Sequence, residues 1–321
     1  MGRLLSLILV VAAAGVIGVL WFEREVTQPG PLQDEVTVLI PSGTSVTTIA
    51  GELELTGVAA SADMVMWRAR WRDEAHLLKA GEYVFEPGVS IDGVLDQLIA
   101  GGNVAHRITV PEGLTSLEIV AILEANEILT GEIEAVPPQG SVMPETYQFE
   151  RGETRQAVLG RMTVAMDATL AELWETRQAD LPIATPAEAV ILASILEKET
   201  GVGSERAHVA SVFVNRLNRG MRLQSDPTVI FALTQGLEPL GRTLLRSDWE
   251  YDDPYNTYVY AGLPPGPIAH PGRAALEAVL QPLTTNDIYF VADGTGGHAF
   301  AETLAEHNRN VAAWKALQNN N

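Results

Sequence analysis

The chain has 321 residues, with 21 basic against 41 acidic side chains and a formal net charge of −20. That length accommodates one large domain or two moderate ones, and the acidic balance argues against wrapping nucleic acid or holding anionic lipid through a broad basic face. The absence of cysteine removes disulfides, thiolate metal sites and cysteine nucleophiles together.

Leu4 to Phe22 are 19 consecutive positions with one serine and no charge. As a helix they span about 28 Å, the thickness of one hydrocarbon core. Trp21 and Phe22 close the run, where interfacial aromatics are favoured, and Arg3 precedes it. Two readings fit: a retained anchor, or a signal peptide removed on export. The run is long for the second and lacks a small-x-small site before Trp21. The expectation is a single-pass span with its N-terminus in the cytoplasm and the rest of the chain on the far side.

Residues 23–35, with Gln28-Pro29-Gly30-Pro31, read as a linker. One pattern then occurs three times. Ile40-Pro41-Ser42-Gly43-Thr44-Ser45 precedes Ile49 and Leu53; Val110-Pro111-Glu112-Gly113-Leu114-Thr115 precedes Ile119 and Leu123. A looser copy, Glu86-Pro87-Gly88-Val89-Ser90, precedes Val94 and Leu98. Each follows a β-rich run (Val36–Ile40, Tyr83–Phe85, Arg107–Val110). The unit is a strand, a Pro/Gly turn and a Ser/Thr cap that opens an amphipathic helix. The alternative is convergence on a common strand–turn–helix.

Pro137 to Val142 interrupt this pattern. Helical spacing then runs from Arg155 to Arg177, from Pro186 to Thr200 and from Ala207 to Leu217. Beyond it the chain reads as loops and short strands, notably Ile288–Ala292, until a last helix from Ala301 to Leu317. Leu263 to Ile268 is too proline-rich for regular structure and suits a rigid wall. The fold class is α+β, with an N-terminal transmembrane helix, a small α+β module and a larger α+β domain.

Two carboxylates sit at the end of the apolar run Ile191-Leu192-Ala193-Ser194-Ile195-Leu196. At about 100° per residue from Ile191, Ile195 lies at ~40°, Leu192 at ~100° and Glu199 at ~80°, inside the stripe of large apolar residues. Glu197 falls at ~240°, beside Ala193 and Ser194. Glu199 is therefore the candidate for partial burial, which raises a carboxyl pKa and suits a proton donor near neutral pH. The alternative is an ion pair with Arg206 or Arg216. Glu197 reads as a solvated or supporting group, and Lys198 as a solvated residue suited to a helix C-terminus.

From here the motifs are specific. Ile195-Leu196-Glu197-Lys198-Glu199-Thr200, Ser204-Glu205-Arg206, Val209 to Leu217 and Met221-Arg222-Leu223-Gln224-Ser225-Asp226-Pro227-Thr228-Val229 resemble the endolytic murein transglycosylase (YceG-like) family. So do Tyr255-Asn256-Thr257-Tyr258, Gly262 to Ile268, Pro271-Gly272 and Phe290 to Phe300, and upstream Lys79 to Tyr83 and Pro144-Glu145-Thr146-Tyr147. In the last motif the family often has aspartate where this chain has Glu145, one methylene longer. The likeness runs from residue 36 to His307-Asn308.

The resemblance implies a membrane-anchored endolytic peptidoglycan lytic transglycosylase. It would cleave MurNAc-β-1,4-GlcNAc bonds within nascent strands to leave 1,6-anhydroMurNAc ends, probing the wall from the periplasmic side of the inner membrane and terminating elongation beside wall synthases. It implies a cytoplasmic N-terminus over 1–3, a transmembrane helix over 4–22, a linker over 23–35, a LysM-like module over 36–106, a lytic domain over 107–317 and a tail over 318–321. The family's catalytic glutamate matches Glu199. Gln224, Asp226, Asn256 and Thr257 then read as bonding sugar hydroxyls and N-acetyl groups, and Tyr255 and Tyr258 as stacking on sugar faces; for 255–258 a locally satisfied loop remains open, as does a plain helix start at Asp226-Pro227. His298, near Asp293 in a glycine-rich turn, is a structural residue or a substrate contact. The six histidines show no HExxH spacing, so no metal and no cofactor are expected. The competing function is a non-catalytic wall-binding scaffold for division or elongation proteins. A peptidase is disfavoured, since neither Gly-x-Ser-x-Gly nor Ser-x-x-Lys is evident.

Overall fold

The structure, a computed structural model, describes residues 2–318; Met1 of the expected cytoplasmic end and residues 319–321 of the expected tail lie outside the described residues. The chain divides into two compact units, residues 1–107 with 148–152, and residues 108–147 with 153–321.

The first unit begins with α1 (Gly2–Thr27). Its segment from Leu5 has mean hydropathy 2.6 and none of that apolar window is buried, so by length and composition it can cross a membrane, a test that a signal sequence also passes. The end of the helix differs. Val26 is 0% exposed in the unit's core, Phe22 packs against that core, and Arg68 Nη1 donates to Glu23 Oε1 at 2.7 Å. The expected linker 23–35 is therefore built in: its first part is helix, and Gly30 N donates to Gly88 O (3.2 Å) while Gly88 N donates to Leu32 O (3.0 Å).

β1 (Val36–Ile40), α2 (Val46–Leu55), α3 (Ala62–Trp71), β2 (Gly81–Phe85) and α4 (Ile91–Ala100) follow. β1 and β2 pair antiparallel, from Val36 opposite Phe85 to Ile40 opposite Gly81. Alternation puts Val38, Ile40, Tyr83 and Phe85 on the buried face, against Ile49, Leu53, Val94 and Leu98 of α2 and α4. α3 has no counterpart in the sequence reading. Its run Trp67-Arg68-Ala69-Arg70-Trp71-Arg72 hides the helical period, and only Val65 and Ala69 are buried.

β3 (His106–Thr109) and β4 (Thr146–Phe149) pair as a two-stranded sheet, and α5 (Ser116–Glu124) lies between them in sequence. With α5 in place the threefold pattern is visible as structure. Gly43, Gly88 and Gly113 each take a left-handed φ (81°, 72° and 77°) in the turn after the strand. Ser45, Ser90 and Thr115 then cap the next helix, each accepting from a backbone N–H three residues on.

The core of the second unit is α7 (Pro186–Glu199), which packs against α6 (Arg155–Glu175), α8 (Arg206–Asn218), α9 (Asp226–Thr234) and α10 (Arg273–Leu280). Its start is over-determined: Thr185 and Glu188 form a capping box and Pro186 occupies the first turn. Every residue from Ala189 to Leu196 is buried, so the middle of this helix is a central post with no solvent face. Gly140, with φ 74°, lets the 137–142 turn close on it; a Cβ there would lie 2.7 Å from both Pro267 Cγ and Val190 Cγ1. A hairpin of β5 (Tyr289–Ala292) and β6 (His298–Ala301) and the final α11 (Leu304–Gln318) complete the unit. The proline-rich segment is irregular as expected, and it is tied to α7 where Ile268 N donates to Ser194 Oγ at 3.0 Å.

His270 is fully buried behind that segment, with Nε2 2.9 Å from Ser116 Oγ and Val142 N donating to Nδ1 at 3.2 Å. Burial pushes its pKa down to about 4 from 6.5. Between those values the unfolded chain binds the extra proton, so stability falls as pH drops through 6.5 and the loss saturates below 4. The full effect is about 3 kcal/mol. Urea midpoints at pH 7 and pH 4.5 are expected to separate in the parent more than in His270→Gln; equal separations would remove His270 from the acid response.

Candidate active site

α7 delivers both carboxylates of Glu197-Lys198-Glu199 from a buried post, and each meets a different neighbour. Glu199 is half-buried, and its Oε1 accepts from Ser225 Oγ at 2.5 Å. Ser225 is itself buried as the N-cap of α9, its N–H donating to Thr257 Oγ1 at 3.0 Å. Just before it Gln224 has φ 52°, a left-handed conformation costly for a side-chain-bearing residue, held where its N–H donates to Thr257 O at 3.2 Å. This turn aims Ser225 at the carboxylate. Burial pushes the Glu199 pKa up, Ser225 pulls it down and the nearby Asp226 charge pushes it up again; the net shift is upward.

Neither arginine expected as an alternative partner pairs with Glu199. Arg216 is buried, donating from Nε to Ile288 O at 2.7 Å and from Nη1 to Leu223 O at 2.6 Å, with its guanidinium 5.5 Å over the Tyr289 ring. Arg206 Nη2 lies 3.6 Å from Glu197 Oε1 instead.

Of the two roles expected of Glu197, solvated or supporting, the structure gives it the supporting one. Its side chain is only 7% exposed, and it accepts from Gly272 N at 2.9 Å, pinning the start of α10. Burial raises its pKa, the Gly272 N–H lowers it and Glu112 raises it. Lys198 is exposed, as expected, and also donates to Gly113 O at 3.1 Å.

Glu199 faces a cleft of about 390 Å³ that also holds Gln224, Asp226 and Tyr258 of the expected substrate set. Tyr258 Oη donates to Asp226 Oδ1 at 2.7 Å and Trp249 Nε1 donates to the same oxygen at 3.1 Å, with the Trp249 and Tyr258 rings stacked at 5.6 Å. Burial, then the Asp226 bond, pushes the Tyr258 phenol well above its usual range. The other three expected residues are elsewhere. Asn256 is fully buried, its amide donating to Trp249 O (3.2 Å) and Tyr251 O (2.8 Å) while its oxygen accepts from Tyr258 N (2.9 Å). Thr257 is buried with its hydroxyl 2.8 Å from that of Thr228. The Tyr255 ring packs 4.8 Å from Phe231 against the core. None of the three lines the cleft.

The fold adds to the cleft Arg216 of α8, weighed in the sequence only as an ion-pair partner, and Leu223, Tyr289 and Phe290 of β5, and Leu304 and His307 of α11, which were not expected there. His307 stacks on Tyr289 at 5.0 Å, and its buried Nδ1 has no hydrogen-bond partner among the described residues. Arg216, Leu223, Phe290 and His307 all fall within the family likeness, but their separation in sequence hides that they share one cleft. His298 opens β6, where its Nδ1 is held 2.8 Å from Glu205 Oε2. Asp293 organises the glycine-rich turn before it, accepting from Thr295 N at 2.7 Å.

The YceG-like family matches residues 38–313. The chain belongs to the YceG-like family. Among YceG-like relatives, the endolytic murein transglycosylase of Bacillus subtilis (strain 168) is 29% identical over 306 residues, which cover 85% of this chain and 83% of that protein. The endolytic murein transglycosylase of Streptococcus pneumoniae serotype 2 is 30% identical over 326 residues, 86% of this chain and 58% of the longer relative. The crystal structure of a putative YceG-like protein from Listeria monocytogenes aligns with TM-score 0.51 and 30% identity, covering 86% of this chain and 99% of that one.

Proposed function

We propose that this YceG-like protein is an endolytic peptidoglycan lytic transglycosylase in which Glu199 is the acid and then the base. The observation that carries this reading is a carboxyl in no ion pair among the described residues, its pKa raised by burial, lining a polar and aromatic cleft. The names of its relatives support the reaction class.

In this mechanism protonated Glu199 donates to the bridging oxygen between N-acetylmuramic acid and N-acetylglucosamine as the bond to C1 breaks. The leaving sugar departs with that proton. The Glu199 carboxylate then takes the proton of the muramic C6 hydroxyl, whose oxygen closes on C1 to give a 1,6-anhydro end. One proton is given and one returned, and no water is consumed. The intramolecular nucleophile makes a second, water-activating carboxylate unnecessary, unlike the usual glycosidase pair, and its proximity supplies part of the rate. Ser225 holds the carboxyl, and Gln224, Asp226, Tyr258 and His307 contact the sugars. A second groove of about 470 Å³ abuts the same helix end, with Lys198 and Pro227 in its wall where Glu199 and Asp226 face the cleft. Binding room beyond the cleft suits a cut within a strand.

The same reading retains α1 as an anchor in the inner membrane, with the N-terminus in the cytoplasm, the second unit on the periplasmic side and the first unit as the LysM-like glycan-holding module. The packing of Phe22, the last residue of the apolar run, against that unit's core and beside Trp71 supports retention, because cleavage after the run would remove it. Newly made strands beside wall synthases are the substrate that this placement fits. The test is digestion of purified wall sacculi by the full chain in detergent. Soluble glycan fragments are expected; binding without release would support a scaffold instead.

A further inference from the structure

The first unit carries an exposed aromatic face that the reaction does not use. On α3, Trp67 and Trp71 lie one turn apart and are 56% and 62% exposed, with Arg70 exposed beside them. Large exposed aromatics at this spacing are not core residues in waiting. The opposite side of the helix already buries Val65 and Ala69, and Arg68 and Arg72 are engaged by Glu23, Asp92 and Asp96.

The place of this face is fixed by α1. The Trp71 ring lies 6.1 Å from that of Phe22, the last residue of the apolar run, and Trp21 beside it is 56% exposed. Arg68 and Glu23 are bonded at 2.7 Å and Val26 is buried in the unit's core, so α1 and α3 move as one piece. If residues 4–22 fill the hydrocarbon, Phe22 marks its edge. Trp71 then sits in the headgroup layer, which is about 5–8 Å deep on each side, and Trp67 is about one helical pitch of 5.4 Å along.

We propose that the Trp67–Trp71 face of α3 docks on the lipid headgroup layer beside the α1 span, so that the first unit is held against the bilayer. The proposal rests on the reading of α1 as a retained anchor. Indole rings are favoured at that depth, and the Arg70 guanidinium suits lipid phosphate. Continuity with the span selects lipid over glycan as occupant, although exposed indoles also stack on sugars.

The absence of native cysteine makes single-site labelling clean. A fluorophore is placed on Arg70→Cys, on Ser42→Cys in the exposed turn after β1, and on Val16→Cys within α1, each in the full chain in phosphatidylethanolamine–phosphatidylglycerol vesicles. Nitroxide lipids labelled at the headgroup or mid-chain serve as quenchers. Headgroup quenching at position 70 is expected to exceed that at 42 by about threefold or more, with position 16 quenched by the mid-chain lipid. Trp67→Cys repeats the measurement should the Arg70 change itself weaken docking. Positions 70 and 67 quenched no more than 42, with 16 still quenched, would overturn the docking and leave the anchor standing. An unquenched position 16 would overturn the anchor and the docking with it. Shielding at 70 and 67 that appears only when glycan strands are added would assign the face to sugar and overturn the lipid assignment.

Discussion

Glu199→Gln is expected to lose roughly 10³-fold of the fragment-releasing activity, the range set by removal of a positioned general acid. The amide matches the carboxyl in size and still accepts from Ser225, so unfolding midpoints should hold or rise slightly as a buried carboxyl is replaced. Glu197→Gln is the necessary companion. Glu197 bonds the Gly272 N–H rather than facing the cleft, so its loss should keep activity within about tenfold and appear mainly in stability. The reverse pattern would move the acid to Glu197. The pH profile adds a sign. An acid must be protonated to act, so activity falls as pH rises through the elevated Glu199 pKa. Ser225→Ala removes the bond that lowers that pKa and should carry the alkaline limb upward.

Arg216→Met is expected to cost about 2–5 kcal/mol in urea unfolding, because two backbone carbonyls, Ile288 O and Leu223 O, lose charge-assisted donors inside the protein. Activity should fall with it, since those carbonyls tie β5 and the turn ahead of Gln224 and Ser225 to α8. Arg216→Lys should rescue little: a single ammonium on a flexible stem does not reproduce two donors in a fixed fork. A change under about 1 kcal/mol in either variant would show that the cleft wall is held by other contacts.

The positions of these residues show what was legible in the sequence. α7 was readable end to end, since Thr185, Pro186 and Glu188 announce its start and the apolar run its length. Glu199 was legible because it continues the Ile191–Ile195 stripe. The same wheel left Glu197 open between a solvated and a supporting role, for a physical reason: small residues on a helix imply solvent only if that face is free. Ala193 and Ser194 instead admit close packing in a helix buried on all sides, and Ser194 bonds the chain at Ile268. In Tyr255-Asn256-Thr257-Tyr258 no period separates inside from outside. The Asn256 side chain folds back on the backbone, turning two neighbours inward and leaving Tyr258 to the cleft. α3 was hidden by two outward-facing tryptophans and by arginines that break the apolar period, and the 23–35 segment by prolines that read as linker although Val26 is core. Arg216, Tyr289 and His307 meet only through long-range packing, which no local spacing encodes.

The chemistry turns on whether water enters the product. Asp226 is a carboxylate in the same cleft as Glu199, and a hydrolase would use such a residue to activate water. Here its Oδ1 is bonded by Tyr258 and Trp249, which suits a residue that positions substrate. Digestion of purified glycan strands in ¹⁸O-labelled water, with the new ends read by mass spectrometry, separates the two directly. The account predicts anhydro ends carrying no ¹⁸O; reducing ends carrying the label would contradict it.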